Sequence, residues 1–343
     1  MPETFFCKEL FQLESGKTLP GFHLAYTTLG ALNAAKDNVV WVFHALTANS
    51  NATEWWPGLI GEGQLFNPAN HFIICVNMPG SCYGSISPLD DERYHNFPLF
   101  TIKDMVAAYQ KLKNHLGIDK IHIGIGGSMG GQQLLEWAVE EPNLFNHIIP
   151  IATNAQHSPW AIAFNAAQRI SIETDTSWKE RNEQAGINGM KAARSIALLS
   201  YRNYETYQTA QSDNDNAAIE NFKSESYQRY QGEKLAKRFN AFSYFFLSKS
   251  MDSHNIGRGR KSVADALQTV KAKTLVIGIS SDILFPTQEQ QFIAENIPGA
   301  EMNIIHSTYG HDGFLLEFLQ IENIIINFLT KSGVKKDAAL LNN

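Results

Sequence analysis

Gly126-Gly127-Ser128-Met129-Gly130-Gly131 stands between the apolar run Ile121-His-Ile-Gly-Ile125 and a helical stretch over residues 132–139. A strand that turns into a helix this sharply needs glycines where two main chains pass closely. It leaves its central serine in strained geometry with Oγ presented outward, the nucleophile-elbow pattern G-x-S-x-G. The same residues also suit a plain strand-to-helix packing turn or a phosphate cradle. The dinucleotide spacing G-x-G-x-x-G is absent.

The rest of the chain repeats the strand–helix alternation. Residues 38–43 and 72–77 are continuous apolar runs, as strands buried on both faces require. Residues 22–29 read as an earlier strand, and 148–152, 274–278 and 302–306 as later ones. Helical spacing covers 102–116, where Met105, Val106, Tyr109, Leu112 and Leu116 recur before Gly117, and again 287–296. A single C-terminal helix is predicted over 314–330. This pattern predicts the α/β class, with a mostly parallel, doubly wound sheet. Residues 155–255 differ, being rich in Tyr, Gln, Asn, Lys and Arg with apolar residues at helical spacing. They are predicted to form a helical lid insertion between two parts of one core domain, 1–154 and 256–343. The tail 331–343 is expected to fray.

At 343 residues the chain exceeds one domain of about 150 residues, which suits a core carrying an insertion. Its 44% hydrophobic and 11% aromatic content excludes a largely disordered chain, and a net charge of −6 argues against a nucleic-acid surface. Cys7, Cys75 and Cys82 form no CxxC pair and leave one cysteine over in any disulfide scheme, which points to a reducing compartment. The start MPETFFCKEL lacks the basic and apolar regions of a signal peptide, and no run approaches about 18 apolar residues. A cytoplasmic protein with no membrane partner is expected. The histidines show neither HExxH nor metal-ligand spacing with cysteine, so no metal site is expected.

A serine hydroxyl becomes a nucleophile when a base takes its proton, and the base is held in one tautomer by an acid. On doubly wound sheets that carry a nucleophile elbow, these partners follow in the order Ser, acid, His. Asp282 lies just after the strand over 274–278, and His311 just after that over 302–306. Sites in open α/β sheets lie at such carboxyl ends. One aspartate after a strand is commonly a helix cap, and one histidine a packing residue. Ser128, Asp282 and His311 in this order, each after a strand, form a candidate catalytic triad. The backbone N–H of Met129, at the helix start, faces any oxyanion on an acyl group. A second donor belongs after an early strand, at Leu46 or its neighbour Thr47 in His44-Ala45-Leu46-Thr47. His44 is assigned to orienting that loop.

With these residues in place, the sequence resembles the homoserine O-acetyltransferase family, an acyl-CoA-dependent branch of the α/β-hydrolase fold, from about Tyr26 to Phe328. The matching segments are His44-Ala-Leu-Thr47, Trp55-Trp-Pro-Gly-Leu-Ile-Gly61, Asn77-Met-Pro-Gly-Ser-Cys-Tyr-Gly-Ser85, Gly126-Gly-Ser-Met-Gly-Gly131 with Leu135-Glu-Trp-Ala138, residues 230–244, Ser281-Asp-Ile-Leu-Phe-Pro286 and Tyr309-Gly-His-Asp-Gly-Phe314. The resemblance implies ping-pong transfer of an acetyl group from acetyl-CoA, a co-substrate and not a resident cofactor, to L-homoserine in methionine biosynthesis. It implies that Arg194 binds the acceptor carboxylate, that Asp312 binds its ammonium and that Tyr201 lines the pocket. An arginine fork suits a carboxylate better than a lysine does. By itself Arg194 reads as a surface helix residue, and Asp312 equally as a helix cap. A homodimer is commonly formed in this family through the insertion, and the aromatic stretch over 227–246 suits either that contact or the insertion's own core.

Departures at Ala48 and Gly313, and a shortened segment over 89–97, bear on acyl and acceptor choice, since relatives use succinyl-CoA or accept serine. An esterase on the same scaffold is a rival reading, because water attacks the same acyl-serine. The polar insertion with Arg194 favours a charged acceptor. A non-catalytic relative that kept the fold is a further rival, and such chains usually lack a triad member.

Overall fold

Every side chain of the run Val39–Phe43 is buried, and the burial alternates between two apolar clusters. Val39, Trp41 and Phe43 enter one cluster, and Val40 and Val42 the other. This period-2 division places the strand inside a sheet covered on both faces. The computed structural model describes residues 2–332.

The main sheet has eight strands. In spatial order they are β1 (Glu3–Cys7), β4 (Phe22–Leu29), β6 (Phe72–Val76), β5 (Val39–Phe43), β7 (Ile121–Gly127), β8 (Phe145–Ile151), β9 (Lys273–Ile279) and β10 (Glu301–Ile305). β2 (Phe11–Gln12) and β3 (Thr18–Leu19) pair separately. β4 runs antiparallel to β1 and β6, and the other neighbours are parallel. Phe43 lies opposite Gly126, and Gly127 opposite Ile151. The carboxyl ends of β5, β7 and β8 are therefore level, and the loops leaving them meet at one edge.

On the Trp41 face lie α2 (Ile102–His115) and α3 (Met129–Glu140). Thr101 and Asp104 close a reciprocal capping box at the start of α2. On the other face lie α1 (Ala52–Trp55) and, after β10, α11 (Gly313–Leu316) and α12 (Phe318–Lys331). Between β8 and β9 the chain carries α4 (Pro159–Glu173), α5 (Ile187–Tyr201), α6 (Tyr204–Gln211), α7 (Lys223–Ala236), α8 (Ala241–Asp252) and the short α9 (Val263–Leu267). α10 (Thr287–Asn296) follows β9. The chain leaves and re-enters the sheet region side by side. Gln156 bridges Asn255, and the N–H groups of His157 and Ile256 donate to the carbonyls of His254 and Ala155 at 2.9 and 3.1 Å. Among the described residues no single helix is long and apolar enough to cross a membrane.

Three features differ from the sequence reading. β1 to β3 precede the first predicted strand; β1 lies at the sheet edge and buries only Cys7. α3 starts at Met129, three residues earlier than its periodicity suggests, because Gly130 and Gly131 are the helix's contact face. The predicted single C-terminal helix is broken at Glu317, with a 68° bend between its parts. Trp56 Nε1–H donates to the Phe314 carbonyl at 2.8 Å, and Gly58 makes room for the Phe318 ring. The first turn is thus docked on the loop after α1, and α12 turns back onto the sheet. The expected frayed tail lies, from residue 333 on, outside the described residues.

Candidate active site

β7 passes into α3 through Ser128, whose backbone is left-handed with φ 56° and ψ −126°. A Cβ on Gly126 would stand 2.6 Å from the Gly130 backbone, and one on Gly130 would stand 2.1 Å from the Phe43 carbonyl oxygen. Glycine at these two positions is therefore a packing requirement of the turn. Ser128 N–H donates to the Ile151 carbonyl at 3.0 Å, and the Thr153 hydroxyl donates to the Ser128 carbonyl at 2.8 Å. These contacts hold a conformation that an unsupported serine leaves.

The structure brings Ser128, His311 and Asp282 together. His311 Nε2 lies 2.9 Å from Ser128 Oγ, and His311 Nδ1 lies 2.6 Å from Asp282 Oδ2. The carboxylate has only lone pairs to offer, so Nδ1 carries the proton and Nε2 is free to accept from the serine. Asp282 Oδ1 accepts from the N–H groups of Leu284 and Phe285 at 2.8 and 2.9 Å, which fixes the carboxylate. All three residues are buried, and the His311 ring is flanked by Phe285, Phe314 and Tyr201. The aspartate and histidine loops are tied by Ser281, whose hydroxyl donates to the Ser307 carbonyl and accepts from Gly310 N–H.

The loop after β5 faces Ser128. His44 is fully buried, with Nδ1–H donating to the Ala45 carbonyl at 2.9 Å and Nε2 accepting from Met78 N–H at 3.2 Å. Burial lowers its pKa to about 4, which keeps the ring neutral, so His44 orients this loop as the sequence reading assigned. Gln133 ties the loop after β5 to the start of α3. Its amide donates to the His44 and Met129 carbonyls at 3.4 and 3.1 Å while accepting from Tyr109 OH at 2.7 Å. The N–H of Met129, the first of α3, lies beyond the intrahelical ladder, as helix starts require.

A pocket of about 370 Å³ opens over the serine, lined among others by Leu46, Trp55, Arg194, Tyr201, His311 and Asp312. Leu46 and Trp55 supply apolar wall. The Arg194 guanidinium stands over the Tyr201 ring, 5.4 Å from its centroid. Burial raises the Tyr201 pKa, so its hydroxyl stays protonated. Asp312 makes no cap bond to α11 and instead pairs with Arg202 Nε at 3.1 Å. Arg202, Lys234 and Arg238 also line this pocket and went unassigned in the sequence. Arg202 stands next to Tyr201 and Arg238 within the matched segment 230–244, yet neither has a local motif. Among the described residues no group of three or more His, Cys, Asp or Glu is placed to hold a metal ion.

Sheet order, elbow and Ser–His–Asp geometry define an α/β-hydrolase-fold protein, and the chain matches the alpha/beta hydrolase fold family over residues 38–318. It is 48% identical to a Cyclobacterium marinum protein named homoserine O-acetyltransferase, over 95% of this chain and 94% of that protein. The chain belongs to the homoserine O-acetyltransferase family. A crystal structure of homoserine O-acetyltransferase from Staphylococcus aureus superposes with a TM-score of 0.82 at 29% identity, covering 99% of both chains. An acetylester hydrolase from Corynebacterium glutamicum shares the fold, with a TM-score of 0.86 at 24% identity over 96% of each chain.

Proposed function

We propose that this protein transfers an acetyl group from acetyl-CoA to the hydroxyl of L-homoserine through an acyl-serine intermediate. The observation that carries the reading is one pocket that joins Ser128, in line with His311 and Asp282, to Arg194 and Asp312 on its walls. Close relatives with the same named activity support it.

In the first half-reaction Ser128 Oγ gives its proton to His311 Nε2 and attacks the thioester carbonyl. The tetrahedral oxyanion is received by the N–H groups of Met129 and Leu46. The carbon–sulfur bond breaks, the imidazolium returns its proton to the departing thiolate, and free coenzyme A leaves acetyl-Ser128. Homoserine then enters with its carboxylate toward Arg194 and its ammonium toward Asp312, against Tyr201. Its hydroxyl gives a proton to His311 and attacks the ester. O-Acetyl-L-homoserine departs as the proton returns to Ser128. Asp282 steadies the imidazolium in both halves.

Residues 155–255 act in this reading as a lid whose helices supply the acceptor wall. The stretch over 227–246 divides its roles. Phe239, Phe242, Tyr244 and Phe246 are buried in the insertion, while Tyr230, together with Leu199 of α5 outside that stretch, is an exposed group that suits a homodimer contact. Light scattering of the purified protein tests that contact. The reading also places the protein in the cytoplasm.

Thiol release from acetyl-CoA and succinyl-CoA, each with and without L-homoserine or L-serine, tests the activity. Release that needs acetyl-CoA and homoserine together supports the proposal. Release with succinyl-CoA or serine changes donor or acceptor and keeps the mechanism. Acetyl-CoA cleavage at one rate with or without any acceptor makes the protein a hydrolase.

A further inference from the structure

Arg238 follows α7 and has no part in the proton transfers or in acceptor binding. Its backbone is anchored on both sides. Arg238 N–H donates to the Leu235 carbonyl at 3.0 Å, its own carbonyl accepts from the Cys82 thiol at 3.6 Å, and the neighbouring Phe239 packs edge-on against Tyr83. From this anchor the guanidinium crosses to the core. Nη1 donates to the Thr47 carbonyl at 2.5 Å and to Tyr83 OH at 2.8 Å, and Nη2 reaches Thr47 Oγ1 at 3.4 Å. No carboxylate among the described residues pairs with it. A planar charged fork therefore serves neutral oxygens on two core loops, a geometry that a lysine ammonium cannot reproduce.

Leu46 and Thr47 are the central residues of a turn closed by Ala48 N–H donating to the Ala45 carbonyl at 3.0 Å. Four-residue turns interconvert by rotating the peptide between their central residues. That rotation would re-aim the Thr47 N–H and the Leu46 carbonyl, next to the Leu46 N–H proposed above as oxyanion donor, in the pocket that Leu46 and Thr47 line together with Ser128. His44 and Gln133 hold the start of the turn from below. Arg238 holds its far side through Thr47.

We propose that Arg238 is a positioning residue that fixes the oxyanion turn from the helical insertion, so that acylation of Ser128 requires the insertion to be docked on the core. This inference rests on the acyl-serine reading above. A competing role for the same cation is contact with the phosphates of acyl-CoA at the pocket mouth. A phosphate-free donor separates the two roles.

The test follows acetylation of Ser128 by mass spectrometry with p-nitrophenyl acetate and with acetyl-CoA, in wild type, Arg238→Met, Arg238→Lys and Tyr83→Phe. Arg238→Met is expected to slow acetylation about tenfold or more with both donors, as small misplacement of a catalytic group does. KM for acetyl-CoA and Tm should change little. Arg238→Lys should restore only part of the rate, and Tyr83→Phe should lose less than Arg238→Met. If Arg238→Met does not fold, the Tyr83→Phe rate with p-nitrophenyl acetate decides, and a wild-type value overturns the proposal. Wild-type rates for Arg238→Met with p-nitrophenyl acetate also overturn it. A raised KM for acetyl-CoA alongside those rates would mark a phosphate contact instead. Wild type that takes no acetyl group from either donor would remove the underlying reading, whatever the variants do.

Discussion

The Thr153 hydroxyl donates to the main-chain carbonyl of Ser128 at 2.8 Å, both residues being buried. Gln290 Nε2 in turn donates to the Thr153 carbonyl at 2.6 Å, so the chain after β8 is pinned where it meets the elbow. Thr153→Val keeps the shape and removes the donor. The variant is expected to lose about 1–2 kcal/mol of stability, because a buried carbonyl loses a partner. It should also acylate more slowly, because the strained φ of Ser128 loses a restraint. Urea unfolding and acetyl-enzyme formation check both. Unchanged acylation at reduced stability would confine Thr153 to folding.

Ser128→Ala should form no acetyl-enzyme, and His311→Ala should cost nearly as much, since members of such a unit fail together. Asp282→Asn keeps the packing and, with its amide oxygen in the Oδ1 position, the bonds from Leu284 and Phe285, but it turns an N–H donor toward His311 Nδ1 where an acceptor is needed. That favours the wrong tautomer and should reduce the acylation rate by about 10⁴-fold. Single-turnover thiol release measures all three. Residual turnover in Asp282→Asn near the wild-type level would remove the aspartate from the proposed unit.

The elbow was legible because its causes are local: Gly126 and Gly130 stand within a few residues of the serine whose turn they permit. Asp282 and His311 were legible because each directly follows an apolar run that forms a strand. Gln133, Thr153 and Arg238 were not, because each acts on a group more than twenty residues away that only the folded sheet brings near. Arg202 was missed for the same reason, its partner Asp312 lying far along the chain. The break at Glu317 was hidden too. The apolar periodicity runs through it, and the bend comes from contacts with Trp56 and Gly58. β1 escaped detection because an edge strand with one buried residue shows little alternation.

Arg194 and Asp312 line one pocket with opposite charges, and Asp312 already pairs with Arg202 at 3.1 Å. Arg194→Ala should leave the first half-reaction with acetyl-CoA running while transfer from acetyl-Ser128 to homoserine falls about 100-fold, the cost of losing a charge-assisted fork. Arg194→Lys should recover little, because one ammonium does not reproduce the two parallel bonds. Acetyl-enzyme would then accumulate in the presence of homoserine and be visible by mass. Normal transfer in Arg194→Ala would move the carboxylate site elsewhere.

His254 is fully buried, with Nε2–H donating to the Asn154 carbonyl at 3.0 Å and Nδ1 without a partner among the described residues. Burial lowers its pKa to about 3, helped by the nearby His157 and Arg258. An unfolded histidine titrates near 6.5, so above that pH neither state binds the proton and stability is independent of it. Below it the unfolded chain takes a proton that the folded chain refuses. Stability is then lost by about 1.4 kcal/mol per pH unit until the folded pKa is reached. His254→Gln keeps a donor for Asn154 and removes the titration. Between pH 7 and pH 5 the wild type should therefore lose about 2 kcal/mol more than the variant, as read from urea midpoints at the two pH values. Parallel losses in both proteins would mean that His254 takes up its proton in the folded state as readily as in the unfolded one.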